Sequence, residues 1–129
     1  MRIDINQAKE KEKRTMAKLT INATSKNFTK KDAFNIIGAV TIEKVKGTHI
    51  NVVGAALGTD ISYDTGEEVQ TGYLKSADGT IYSTISPTAQ QSIEQLIDLL
   101  DDGDGEPIEI AVQTRKSNAG RDFIVLTLV

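Results

Sequence analysis

Residues 77–100 read ADGTIYSTISPTAQQSIEQLIDLL, and the order of elements inside this stretch decides the fold. Ser76, Ala77, Asp78 and Gly79 have the composition of a tight turn. Residues 80–85 are short, apolar-alternating and rich in Thr, Ile and Tyr, as strands are. Ser86 is a good helix N-cap and Pro87 suits the first helical position, where its missing N–H costs nothing. Ala89, Ile93, Leu96, Ile97 and Leu100 then recur at i, i+4, i+7, i+8 and i+11, which puts them on one face of a helix. The run DDGDG at 101–105 ends it.

Outward from this core the pattern is strand on both sides. Residues 68–75 precede the turn and make a hairpin with 80–85. Residues 48–57 (THINVVGAAL) form a long strand interrupted by Gly54, and 34–44 (FNIIGAVTIEK) a β-rich strand in which Gly38 marks a bulge or bend. Lys46 and Gly47 turn the one into the other, and 58–66 is a loop. Earlier still, Leu19, Ile21 and Ala23 alternate with polar neighbours as one extra N-terminal strand. Downstream, strands at 107–115 and 121–129 are joined by KSNAG at 116–120. The chain therefore reads as all-β with one helix: an OB-fold-like five-stranded barrel, helix between strands 3 and 4, plus the N-terminal strand. Residues 7–15 (QAKEKEKRT) are almost wholly polar and cannot bury apolar area. Residues 1–16 are thus read as a flexible arm and 17–129 as a single domain.

Composition narrows the function. With 129 residues, no Cys and no Trp, the chain has no disulfide framework and no thiolate chemistry. No apolar run approaches the roughly 20 residues of a membrane helix, and no secretory signal is evident, so a cytoplasmic location is expected. The net charge of −3 conceals an asymmetry. Residues 1–50 hold 11 Lys/Arg against 5 Asp/Glu, residues 51–112 one Lys against 12 acids, and residues 113–129 three Lys/Arg against one acid. Basic ends around an acidic middle are the pattern of a polyanion-binding face set opposite an acidic one.

Catalytic signals are poor: His49 is the one histidine, no nucleophile elbow or phosphate-cradling loop occurs, and neither a metal nor a cofactor is expected. The binding signal is better. Lys44 and Lys46, with His49 just beyond, flank one turn. Arg115, Lys116 and Arg121 flank the final hairpin. In an OB fold these are loops that grip oligonucleotides. Strand parity adds rings. With Ile81 and Ile85 inside, Tyr82 points outward with Thr80 and Thr84; with Ile124, Leu126 and Leu128 inside, Phe123 points outward beside Arg121. Tyr73, next to Leu74, is outward by the same argument, with Lys75 nearby. Exposed rings interleaved with bases suit single-stranded nucleic acid, where each stacked base contributes about 1–3 kcal/mol.

The block ADGTIYSTIS at 77–86, followed by LIDLL at 96–100, IEIAV at 108–112 and GRDFIVLTL at 120–128, resembles the small single-stranded-DNA-binding proteins of phages with protein-primed DNA replication. The likeness spans about residues 48–129. It implies an OB-type fold, no enzymatic activity, and non-sequence-specific coating of single-stranded DNA in replication or recombination, within the host cytoplasm. It also implies base-stacking tyrosines. Tyr82 lies in the matched block; Tyr63 aligns after a one-residue adjustment; Tyr73 has no tyrosine counterpart. Residues 1–30 have no counterpart and could add a phosphate or an oligomer contact. Phage replication proteins are conceivable partners, no membrane is, and the oligomeric state is open. The alternatives are a protein–protein accessory module of replication, whose acidic middle meets a basic partner, and an RNA-binding OB domain.

Overall fold

The computed structural model describes residues 20–61, 66–103 and 105–129. The flexible arm expected at 1–16 and Tyr63 both lie outside the described residues. Seven strands form a curled half-barrel: β1 (Thr20–Thr24), β2 (Val40–Thr41), β3 (His49–Ile61), β4 (Glu68–Ser76), β5 (Ile81–Thr84), β6 (Ile108–Lys116) and β7 (Asp122–Leu128). Their order is β2-β5-β4-β3-β6-β7, with β1 pairing β3 off this path. The sequence led to an OB-fold-like barrel of five strands plus an N-terminal one; the described residues form seven strands in a sheet curled into a half-barrel, consistent with an OB-like all-β fold. Among the described residues β7 pairs only with β6, and β5 continues to the two-residue β2.

The curl comes from β3. Its first half, residues 49–52, pairs antiparallel with β6, and its second half with β4, with a register shift between Val52 and Gly54. One strand thus serves two differently oriented parts of the sheet, which a bulge at a glycine permits. A Cβ at Gly54 would stand 3.4 Å from the backbone of Asn27, so the same glycine lets an overlying segment lie close.

The concave side is closed by α2 (Pro87–Asp102), capped as expected by the Ser86 hydroxyl, which accepts from the Ala89 N–H at 3.3 Å. All five residues of its apolar stripe are buried. They pack on Val52, Leu74, Ile110, Val112, Ile124 and Leu126 in one core. The approach is tight at Gly72, where a Cβ would come 2.6 Å from Ile93 Cδ1. At its far end the Lys26 ammonium donates to the Asp101 carbonyl at 2.9 Å, which opposes the acidic helix terminus with a positive charge. The serines of α2 also reach β7: Ser86 Oγ donates to Ile124 O and Ser92 Oγ to Leu126 O.

The expected strand at 34–44 is not one. Residues 30–45 form α1 (Lys30–Phe34), a 3-10 turn (Asn35–Gly38), β2, and a second 3-10 turn (Ile42–Val45). The cause is local. Thr29 and Asp32 build a reciprocal capping box, each side chain accepting from the other's backbone N–H. Lys75 on β4 then holds the Asp32 carboxylate at 2.9 Å. Ile42, fully buried, leaves this segment to plug the main core. The segment 25–39 lies over the convex face of β4 and β5 and buries a second cluster there: Phe28, Ala56, Tyr73 and Ile81. Ser25 ties it down, donating its N–H to Ala55 O at 2.9 Å while its hydroxyl accepts from Ala55 N at 3.0 Å.

Candidate functional site

The β6–β7 hairpin projects from the sheet and carries three of the predicted residues. Its tip is closed by Ser117, whose N–H donates to Arg121 O at 2.8 Å and whose hydroxyl accepts from Arg121 N at 3.2 Å, with Gly120 at φ +79° completing the reversal. Arg115 stands directly across from Phe123, and Lys116 across from Asp122. Arg115, Lys116 and Arg121 are all exposed.

Lys44 and Lys46 sit on and just after the second 3-10 turn, which leads into β3 rather than joining two barrel strands as expected. Gly47, at φ +84°, donates to Val112 O at 2.7 Å, and Val112 N returns a bond to Thr48 O at 2.9 Å. These bonds hold the Lys46 turn against the hairpin's base. A groove of about 400 Å³ opens between them, lined by Lys46, Ile85, Pro87, Thr114 and Phe123 and also by the acids Glu43 and Asp122. Phe123 faces this groove half-buried and stays outside the main core that Ile124 and Leu126 join, although Ile124 also reaches the groove. Among the described residues the ion pairs are Asp32–Lys75 and His49–Glu109; neither uses Lys44, Lys46, Arg115, Lys116 or Arg121. Their charges are therefore available to an anion.

Three predicted residues are placed otherwise. Tyr73 is on the face opposite Leu74, but that face is covered, and the ring is 4% exposed. Burial pushes its phenol above the usual tyrosine range. Lys75 is committed to Asp32. In that carboxyl, burial acts to raise the pKa, but the hydrogen bonds from Thr29 N and from Lys75 together outweigh it and hold the group below the usual Asp value. His49 is exposed, but its Nδ1 lies 2.8 Å from Glu109 Oε2, so an acid shares its position.

Tyr82 corrects the parity argument for β5. It pairs with Leu74 and packs, half-buried, on the main core, whereas Ile81 enters the second cluster. Thr84, expected outside, is buried, and Ile85, expected inside, is 65% exposed. Both faces of β5 are covered, one by α2 and the other by segment 25–39, so alternation alone cannot say which face is the main core.

Sequence reasoning passed over Phe34 and Ile37, which are 65% and 67% exposed on the covering segment. Reading 34–44 as a strand hid them. The signal that could have found them was Thr29-Lys-Lys-Asp32, a capping box announcing a helical start. Among the described residues no cluster of His, Asp or Glu is arranged to hold a metal ion, and no helix is long and apolar enough to cross a membrane.

Comparison with known proteins covers more of the chain than the 48–129 likeness. The Phi29 phage SSB family model, described as phage single-stranded DNA-binding protein, matches residues 10–129. The single-stranded DNA-binding protein of Bacillus phage B103 is 34% identical over 101 residues, which is 76% of this chain and 82% of the relative. No solved structure matches significantly. With the family match running through the capped covering segment, the bent β3 and the basic hairpin alike, the chain belongs to the Phi29-type phage single-stranded DNA-binding protein family.

Proposed function

We propose that this protein binds single-stranded DNA without sequence preference and coats it during phage DNA replication or recombination, as a binding protein and not an enzyme. The observation that carries the reading is a groove lined by Lys46 and Phe123, with Arg115 across the hairpin from Phe123 and with Arg121 and Lys116 at the adjoining tip. Lys and Arg outside ion pairs neutralise phosphates, and the exposed face of an aromatic ring offers a base a stacking surface whatever its identity. Phe123 and the exposed part of Tyr82 supply rings, with Tyr63 as the third. Lys44 extends the basic rim. In this reading β3, β4 and β5, then α2, then β6 and β7, are the five strands and helix of an OB fold, with β1, β2 and the covering segment as additions.

The test is a titration with oligo(dT), following tyrosine fluorescence over a salt series. Quenching is expected, with the logarithm of affinity falling linearly against the logarithm of salt by about 0.7 per phosphate contacted. Absence of quenching together with a flat salt response overturns the reading. Competition with duplex DNA and with RNA of equal sequence separates it from an RNA-binding role, in which RNA would compete better through 2′-hydroxyl contacts.

A further inference from the structure

The groove beside Phe123 does not end there. Ile85, which lines it, also lines a second concavity of about 600 Å³, together with Ile37, Thr41 and Ser83. Ile37 in turn lines a third, shared with Phe34 and Gly79. Four apolar side chains, Phe34, Ile37, Ile85 and Phe123, thus follow one another along a continuous track, and the first three are 65–67% exposed. Single exposed apolar residues need no explanation, but a contiguous line of them does.

The placement of the two on the covering segment is enforced from below. Phe28 and Ser25 are buried under it, and Asp32 is fixed to Lys75, so α1 has one orientation on the sheet. The segment buries Tyr73 and the stem of Lys75, a ring and a base on the face of β4, and carries Phe34 and Ile37 on its outside, next to the exposed Lys30 and Lys31. A ring with bases beside it is withdrawn from one layer and offered again on the layer above.

Resting on the single-stranded DNA reading, we infer that Phe34 and Ile37 are base-contacting residues, and that the bound strand runs from the β6–β7 hairpin past Ile85 onto the covering segment. The charge at both ends argues for a nucleic acid as the occupant. Lys30 and Lys31 flank one end of the track, and Lys46, Arg115 and Arg121 the other, none of them in an ion pair within the described residues. The middle carries Ile37, Ile85 and Phe123 but also Glu43, Asp60 and Asp122. There the apolar side chains meet bases, while the phosphates turn outward, away from the acids, and are held at the basic ends. Phe34 provides the stacking face, and Ile37 and Ile85 provide contact without hydrogen-bond readout, which suits a ligand of arbitrary sequence.

The chain has no tryptophan, so Phe34→Trp creates a unique fluorophore. Leu128→Trp, at an exposed position near α2 and away from the track, serves as control. On adding oligo(dT), the Phe34→Trp emission should be quenched by half or more at saturation, with the control changed little. Phe34→Ala and the double variant Phe34→Ala/Ile37→Ala should weaken oligo(dT) binding about tenfold or more at fixed salt, with an unchanged salt slope and unchanged melting temperature. Binding by the wild type with no quenching at residue 34 and no loss in the alanine variants overturns this inference and leaves the single-stranded DNA reading standing. Failure of the wild type to bind overturns that reading as well. If the alanine variants instead change the oligomeric mass in light scattering while binding is kept, the track is an interface between copies of this chain and the inference fails.

Discussion

The Lys75 ammonium lies 2.9 Å from the Asp32 carboxylate, joining the C-terminal end of β4 to the capping box of the helical turn above it. Asp32 is buried and Lys75 largely so, which makes this contact more consequential than a surface pair. Asp32→Asn should cost about 1–2 kcal/mol, the loss of a charged hydrogen bond and part of a cap, and should speed proteolysis or hydrogen exchange within residues 25–39 before the rest of the chain. Unchanged exchange in that segment would show that the pair does not hold it.

The same carboxyl sets a pH dependence. Because the folded-state pKa of Asp32 lies below its ordinary value, its contribution is fully present above the unfolded pKa of about 4 and is lost as pH falls through the lower folded value. The covering segment should therefore loosen in acid, in the range below about pH 4, and Asp32→Asn should flatten that part of the stability curve. Denaturant midpoints collected between neutral and strongly acid pH would check it.

Tyr73 and Tyr82 should separate by experiment. Tyr73→Ala removes a buried ring and should cost about 3 kcal/mol or more in stability, whereas Tyr73→Phe should leave oligo(dT) affinity within twofold of wild type. For Tyr82, Tyr82→Phe should bind normally and Tyr82→Ala more weakly, since stacking needs the ring and not the hydroxyl. Equal losses for both Tyr82 variants would point to a hydrogen bond instead.

Arg115→Ala and Arg121→Ala should each reduce affinity for all sequences alike and lower the steepness of the salt dependence by about 0.7, one phosphate contact apiece. His49→Ala should change both little, because Glu109 already shares its position. A salt slope unaltered by either arginine would remove the hairpin from the interface.

Gly72→Ala tests the fit of α2 on the sheet. The added methyl meets Ile93 Cδ1 at 2.6 Å inside the core, so a loss of about 1–3 kcal/mol is expected from the melting temperature, with binding kept at temperatures where the fold persists.

What the sequence disclosed follows from how each element is specified. The helix was legible in full, N-cap, Pro87 and buried stripe alike, because its signals lie within 16 consecutive residues. The two flanking hairpins were legible for the same reason, their turns being marked by Gly79 and Gly120, both at positive φ. The stretch 34–44 was misread because Ile36, Ile37, Val40 and Ile42 have strand propensity, while the capping box at Thr29 and its anchor on Lys75, 43 residues away, decide otherwise. Parity on β7, which is covered on one side, placed Ile124 and Leu126 in the core and Phe123 outside it, but Leu128, expected inside, is 62% exposed at the end of the strand. It failed on β5, and for Tyr73 on β4, since no periodicity of two can tell one buried face from another. That the arginines of the final hairpin are exposed followed from position alone, because a hairpin tip leaves a long charged side chain only solvent.

The two serine contacts from α2 to β7 bear on crowding. An open sheet leaves an edge, and a bare edge is a template on which another chain's strand can zip. By occupying the Ile124 and Leu126 carbonyls, Ser86 and Ser92 deny a foreign strand two of the acceptors it would need. Proteins that accumulate side by side on a shared scaffold experience local concentrations at which edge pairing becomes polymerisation. Here the helix that fills the hollow of the half-barrel also guards its border against that outcome.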